Sequence, residues 1–446
     1  MYTLLALSTA IISATTTPSN PSTASVEELR KMVVELQGEV ADLKTQDTTW
    51  LTENRADQVR ELVHDVLAEA DTRSSLQGGG IAAGYNGGAF IQSSDGNWKL
   101  KINVQLQARW LYNDAENQDS QHGFEQRRTK VKFSGHAVDP SWVYKIVPTW
   151  SRNGGSSTED AWVGKNFEDG SWFKFGQFRQ RFLRESIVSS GKQLTVERSM
   201  LENAFTYGWS QGIEFGWKND DTNFVVQYTD GPNEFNTTAL VAPTNAWVAR
   251  AEFRFGEAVW NDFNYLTSQS GGEQGWLIGV AYENYDTDNG TLEYGNANAN
   301  KSHGWTADVS YRADGWNVFG YVVQTTGKNT ANGNEVDSSG WLLQGGFLFN
   351  DNTELFAQYQ EGEVDGSNMD MDAIRIGLNY WPNAGSNNIK WTTDVAWAGK
   401  TMTNGVGAGG VPTPSADWIS SGNGWRTDNV GDKNQTLIRT QLQILF

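Results

Sequence analysis

The chain has 446 residues with no Cys, nine Pro and four His, against 47 Gly, 20 Trp, 20 Phe and 14 Tyr. That composition excludes disulfide scaffolds, zinc ribbons and thiol catalysis, and a formal net charge of −19 leaves no basic face for nucleic acid. Mean hydropathy is −0.54 and no run is long and apolar enough to cross a bilayer as a helix, so any membrane-spanning part must be built from alternating strands, whose mean hydropathy resembles a soluble protein's.

Residues 1–14, MYTLLALSTAIISA, have the outline of a signal peptide: an apolar centre followed by small residues. No Lys or Arg precedes that centre, which leaves open an upstream start, a truncated remnant or a plain apolar N-terminus. Residues 15–25 read as a Thr/Ser/Pro spacer. Over 26–73, Val26, Leu29, Val33, Leu36, Val40 and Leu43 recur at steps of three and four, the seam of a periplasmic coiled coil. The seam fails at Asp47 and resumes out of phase at Val59, Val63, Val66 and Ala70, so two helical pieces are expected. Three copies would cover so narrow a stripe; a helical hairpin packed on itself is the alternative. Residues 74–96, with GGGIAAGYNGG, read as a Gly-rich linker.

From residue 97 the pattern is β. In WKLKINVQLQARW, Leu100, Ile102, Val104, Leu106, Ala108 and Trp110 face one way and Lys99, Lys101, Asn103, Gln105, Gln107 and Arg109 the other. This length suits a tilted membrane strand better than a sandwich strand. RTKVKFSGHA, NAWVARAEFRF and WTADVSYR repeat the alternation, with Trp and Tyr near strand ends as in a headgroup girdle. Connections alternate between long polar loops and tight turns, at Asp139 to Ser141, Glu168 to Ser171, Asn219 to Thr222, Ala313 to Gly315 and Asn350 to Asn352. With both ends of the β region in the periplasm the strand number must be even. Gly256 to Gly275 is then one elaborate periplasmic turn, and the expected fold is all-β, a transmembrane antiparallel β-barrel of about 16 strands preceded by a short α-helical coiled coil. The last strand, TLIRTQLQILF, puts Ile438, Thr440, Leu442, Ile444 and Phe446 on the lipid face. Phe446 resembles the terminal signal read by the outer-membrane barrel-assembly machinery.

If the apolar face of each strand meets lipid, the lumen receives Lys99, Lys101, Arg109, Arg128, Lys130, Lys132, Lys145, Lys218, Arg250, Arg254, Arg312, Arg375, Lys390 and Arg439. The acids sent inward are chiefly Glu214, Glu252, Asp308 and Asp394. A watery lumen between low-dielectric walls focuses such a field and favours small anions, although cross-barrel pairing with acids would use the same residues. Loop 179–206 carries Arg179, Arg181, Arg184, Lys192 and Arg198 against Glu185, Glu197 and Glu202. Its apolar residues need something to pack on, most simply the barrel wall; folding over the mouth is the alternative.

Two stretches resemble the phosphate-selective porin O and P family. FEQRRTKVKFSG (Phe124 to Gly135) looks like that family's Arg-Arg pair, and FKFGQFRQRFLRESIVSSGKQLTVERSMLENAF (Phe173 to Phe205) is similar to its GQF-(K/R)-x-x-F-x-x-E segment with the paired Ser and Glu-Arg-Ser that follow. The resemblance is specific over about Leu100 to Thr229, and the coiled coil is an addition to the family pattern. It implies a homotrimer of sixteen-stranded barrels, a third loop folded inward as the constriction, an arginine ladder for anions such as phosphate, and Arg127 and Arg128 as a constriction pair. Alternation places Arg128 in the lumen but Arg127 on the opposite face, unless the strand begins after it.

No two of His64, His122, His136 and His303 stand at ligand spacing, and DTDNGTLE (Asp286 to Glu293) lacks EF-hand spacing, so no enzyme, cofactor or metal site is expected. The expected function is passive diffusion through the outer membrane with a preference for small anions; a general non-selective porin is one alternative. Another is a structural tie from outer-membrane lipid to peptidoglycan through the coiled coil.

Overall fold

The computed structural model describes residues 31, 34, 35, 80–206, 208–231, 236, 244–287, 301–328, 335–365, 370–400, 418, 421–426 and 433–446. The expected coiled coil therefore lies outside the described residues, apart from Lys31, Val34 and Glu35, which are helical. A short hairpin, β1 (Ile81–Tyr85) and β2 (Ala89–Ser93), precedes sixteen long strands. These are β3 (Lys99–Asp114), β4 (Gln121–Ala137), β5 (Asp139–Trp150), β6 (Ser156–Asn166), β7 (Ser171–Arg179), β8 (Trp209–Lys218), β9 (Thr222–Thr229) and β10 (Thr244–Gly256). They continue as β11 (Gly275–Thr287), β12 (Lys301–Ala313), β13 (Trp316–Lys328), β14 (Glu335–Asn350), β15 (Thr353–Val364), β16 (Met371–Tyr380), β17 (Ile389–Ala398) and β18 (Gln435–Leu445).

Each long strand pairs antiparallel with the next. β18 returns to β3, from Thr436↔Asp114 to Leu445↔Gln105, which closes an antiparallel barrel with no free edge. The even strand number agrees with the parity argument, and Gly256↔Gly275 makes the segment between them a single connection.

Polarity is inverted relative to a water-soluble core. Along β11, Trp276, Ile278, Val280 and Tyr282 are exposed, and along β12 Ser302, Thr306, Asp308, Ser310 and Arg312 are buried inside. Only a wall facing lipid makes that arrangement favourable. Aromatic pairs ring the rims, with Trp276 4.4 Å from Tyr311 and Tyr228 4.6 Å from Trp247.

Two local expectations are corrected. The linker of residues 74–96 contains the β1–β2 hairpin, because Asn86, Gly87 (φ +53°) and Gly88 (φ +148°) form a turn that only residues tolerant of positive φ can make. β2 pairs with Lys99–Ile102, the part of β3 that extends past β18, and Phe90 lies 4.8 Å beneath the Lys99 ammonium. Asp139 opens β5 and does not form the turn expected at Asp139 to Ser141; the reversal is at Val138 (φ +75°), and Asp139 Oδ1 accepts from Ser141 N at 2.8 Å. The reversal thus lies just before the stretch expected to turn.

Val322, half-way along β13, faces lipid. Val322→Arg should destabilise the barrel by about 2–4 kcal/mol, the cost of a cation at the bilayer midplane, measured by reversible urea unfolding from lipid vesicles.

Candidate constriction and lumenal cavity

After Arg179, the last residue of β7, the chain turns into the barrel as residues 180–206. The loop, called L3 below, contains two short helices, α1 (Arg184–Ile187) and α2 (Met200–Phe205). Ser199 caps α2, its Oγ accepting from Glu202 N at 2.8 Å. Phe182, Leu183, Val188, Leu194, Met200, Leu201 and Phe205 are buried and pack on Phe319, Tyr321, Leu342 and Phe356 of β13, β14 and β15. Gly340 and Gly362 pair across β14 and β15 and leave a dent for Leu201: a Cβ on Gly340 would stand 2.4 Å from Leu201 Cδ2. The loop is thus inside the barrel, not over its mouth.

Polar side chains of the wall hold the loop's backbone. Asn379 donates to Leu194 O at 2.8 Å, Lys390 to Gln193 O at 2.7 Å, Arg375 to Glu197 O at 2.9 Å and Gln443 to Gly191 O at 2.9 Å, while Gln360 Oε1 accepts from Met200 N at 2.7 Å. A loop buried in a lumen must satisfy its peptide groups this way, because no ladder does it.

Its charged centre is Glu197. The carboxylate is 3.0 Å from Arg109, 2.8 Å from Arg127 and 2.7 Å from Arg128. Both members of the Arg-Arg pair reach it because β4 carries a bulge. Gln107 pairs with Arg128 and Ala108 with Gln126, so Arg127 is the extra residue and both side chains point inward. Strict alternation, which sent Arg127 outward, is corrected there. Burial would raise the Glu197 carboxyl, but the guanidiniums outweigh it and hold it well below the usual carboxylate range. Glu185, buried and near Glu202, is pushed up instead, although it accepts from Ser199 N and Oγ.

The expected ladder divides in two. Most of its arginines on the inner wall are committed to structure. Arg109 also bonds Glu125 and Gly422 O; Arg250 donates from Nη2 to both Asp308 oxygens and from Nη1 to Phe182 O; Arg439 makes a bidentate pair with Asp394 and reaches Asn423 O. Arg184 bonds Glu252 at 2.8 Å and Phe263 O, Arg312 bonds Gln269 and lies over Phe263, and Arg254 ties Asp220 O, Asp221 and Ala258 O at the periplasmic end. Lys101 packs under the Gly87–Gly88 turn. These residues lie on the expected side but are not available as free cations. Lys192 sits 3.8 Å over the Tyr265 ring.

The other part borders open space. A cavity of about 240 Å³ lies between L3 and β4–β8, lined by Lys130, Lys132, Lys145, Lys174, Arg179, Arg181 and Arg198 against three acids, Glu159, Asp160 and Glu214. Glu159 holds Lys130 at 2.6 Å, Asp160 holds Lys145 at 3.1 Å, and Glu214 takes Lys174 and Arg181 at 2.5 and 3.2 Å. Lys132 has no hydrogen-bond or ion-pair partner among the described residues. Trp162 and Trp209 complete the wall, with Lys174 5.0 Å over Trp162 and Arg179 4.1 Å over Trp209. Sequence reasoning underestimated the inward acids, missing Glu125, Glu159 and Asp160. The β5–β6 pairing breaks between Ile146 and Pro148, and that irregularity turns both Glu159 and Asp160 inward. The two Trp were missed as well; only their place beside Lys174 and Arg179 marks them.

Residues 99–404 match the model of the phosphate-selective porin O and P family. The chain belongs to that family. Its barrel is similar to solved outer-membrane proteins: an anion-selective porin from Comamonas acidovorans (13% identity, TM-score 0.52, covering 78% of this chain and 99% of that one) and the trimer form of OmpT from Vibrio cholerae (12%, 0.52, 78% and 99%). The outer-membrane channel DcaP of Acinetobacter baumannii is a third (12%, 0.50, 80% and 99%). At such identities the likeness shows the fold alone. No curated protein matches by sequence. The porin family and the closed barrel make the chain an outer-membrane channel.

In this porin Glu197→Gln removes the counter-charge of three guanidiniums and should weaken the seating of L3 by roughly 3–5 kcal/mol, as when one partner of a buried pair is lost. Single-channel current should become unsteady while the barrel still forms. The folded pKa of Glu197 is depressed, so its contribution is complete above the unfolded value near 4.3 and disappears only as pH falls through the lower folded one. The raised Glu185 works in the opposite sense, its ionised form being penalised until pH falls through its pKa. Channel traces should therefore stay steady from about pH 7 to about pH 5.

Proposed function

We propose that this porin passes small hydrophilic solutes by passive diffusion, favours anions such as phosphate, and works as a homotrimer in outer-membrane lipid, with residues 26–73 as periplasmic helices near peptidoglycan and Phe446 as its signal to the barrel-assembly machinery. The observation that carries the preference is the cavity beside L3, with seven basic side chains to three acidic ones, among them Lys132, which has no hydrogen-bond or ion-pair partner among the described residues. Low-dielectric walls concentrate that field on a passing ion. Arg179, Arg181 and Arg198 add guanidiniums to the same wall, but each is already held, Arg181 by Glu214 and Arg179 and Arg198 by Glu202 and by carbonyls of L3, so it is Lys132 that meets the solute without a competing acid. The anion-selective and trimeric neighbours agree with both parts of the reading.

One observation favours a general porin as second reading: the arginines of the inner wall, Arg250 and Arg439 above all, are neutralised by Asp308 and Asp394. The reversal potential in a planar bilayer under a salt gradient separates the two. The anion reading expects the sign of an anion channel, and a cation-selective sign sinks it. Phosphate should then block chloride current, with Lys132→Gln raising the half-blocking concentration roughly tenfold, the equivalent of about 1.4 kcal/mol. Arg128, already held by Glu197 and Gln107, is the less informative position to change.

A further inference from the structure

The connection between β10 and β11 is longer than its geometry requires. Gly256 and Gly275 pair directly, so a two-residue turn would close the hairpin, yet residues 257–274 stand between them, the longest connection at the periplasmic end. Ordering so many residues costs conformational entropy that the hairpin does not need.

The segment folds up into the barrel. Phe263, Leu266, Thr267 and Ser268 are buried. Ser268 N donates to Glu354 of β15 at 2.5 Å, and Asn317 of β13 donates to Ser268 Oγ at 2.8 Å, so the segment runs inside the wall from β10 and β11 as far as β15. Glu354 makes no ion pair among the described residues; it accepts from Ser268 N of the segment and from Asn317 and Asn379 of the wall. L3 meets it from the other side: Leu266 N donates to Lys192 O at 2.9 Å, and Arg184 to Phe263 O at 2.5 Å.

We propose that residues 257–274 are a fixed plug that closes, from the periplasmic end, the part of the lumen bounded by β10–β15, L3 being seated on β16–β18, so that all solute passes through the cavity beside β4–β8. The two elements meet backbone to backbone under L3, and what they leave is the basic passage around Lys132. The proposal rests on the channel reading but not on anion preference, because conductance reports the plug and the sign of the reversal potential reports the charge.

The test replaces residues 257–274 by Asn-Gly and measures single-channel conductance and reversal potential in a planar bilayer. Conductance should roughly double, with weaker ion preference, as a second route opens along a wall where acids such as Asp308 and Glu354 offset the arginines. Unchanged conductance overturns the proposal. Should the shortened chain not fold, Lys192→Cys with Leu266→Cys in this cysteine-free protein bridges the Leu266 N to Lys192 O contact. The disulfide should form, and current should be the same oxidised and reduced. Failure to form it, or a current that changes on reduction, means that the segment leaves its seat in the conducting channel, which also overturns the proposal.

Discussion

A loop that enters a barrel has to exchange water for protein at every peptide group and every charge it carries, and Glu197 is where L3 meets that demand. Alone, its carboxylate would be costly to bury. Beside Arg109, Arg127 and Arg128 it becomes the point that pins the middle of L3 to β3 and β4. The loop then packs Met200, Leu201 and Phe205 on β13–β15 and offers its carbonyls to Lys390, Arg375 and Asn379. Everything about the passage follows from that seating, since the cavity is the space L3 leaves on its other side.

Basic residues consequently do two kinds of work here. Arg250 and Arg439 are fixed by acids that largely cancel their charge, and Arg375 is fixed by the carbonyls of Glu197 and Arg198; all three serve as fastenings. Lys132 and the cations around it face open space, and the acids among them neutralise only part of the set. A porin can therefore hold a lumen full of arginine without all of it acting on solute. The field on a passing ion comes from the small group that the loop and the β10–β11 connection leave uncovered.

Much of this was legible in the sequence because a lipid-facing strand writes its orientation at every second residue. The alternation from Leu100 to Trp110, the parity of the connections and the run ending at Phe446 each agree with the closed sheet. The family's motifs pointed to the loop, and its apolar residues correctly demanded an internal partner. The periodic rule failed at the bulges, where Arg127 and Glu159 turn inward against it, because an inserted residue leaves no mark in composition. The reading of the glycine run as a plain linker failed at Gly87 and Gly88, which make the turn of a hairpin.

The sequence by itself determined the barrel, its strand number and which side of each strand meets lipid, since these depend on local patterning that survives without knowledge of neighbours. Only the tertiary structure decided which lumenal cations are free. Whether an inward arginine meets a solute or an aspartate depends on residues far apart in the chain, such as Arg250 with Asp308, Arg439 with Asp394, and Arg128 with Glu197, brought together by closure of the sheet and entry of the loop.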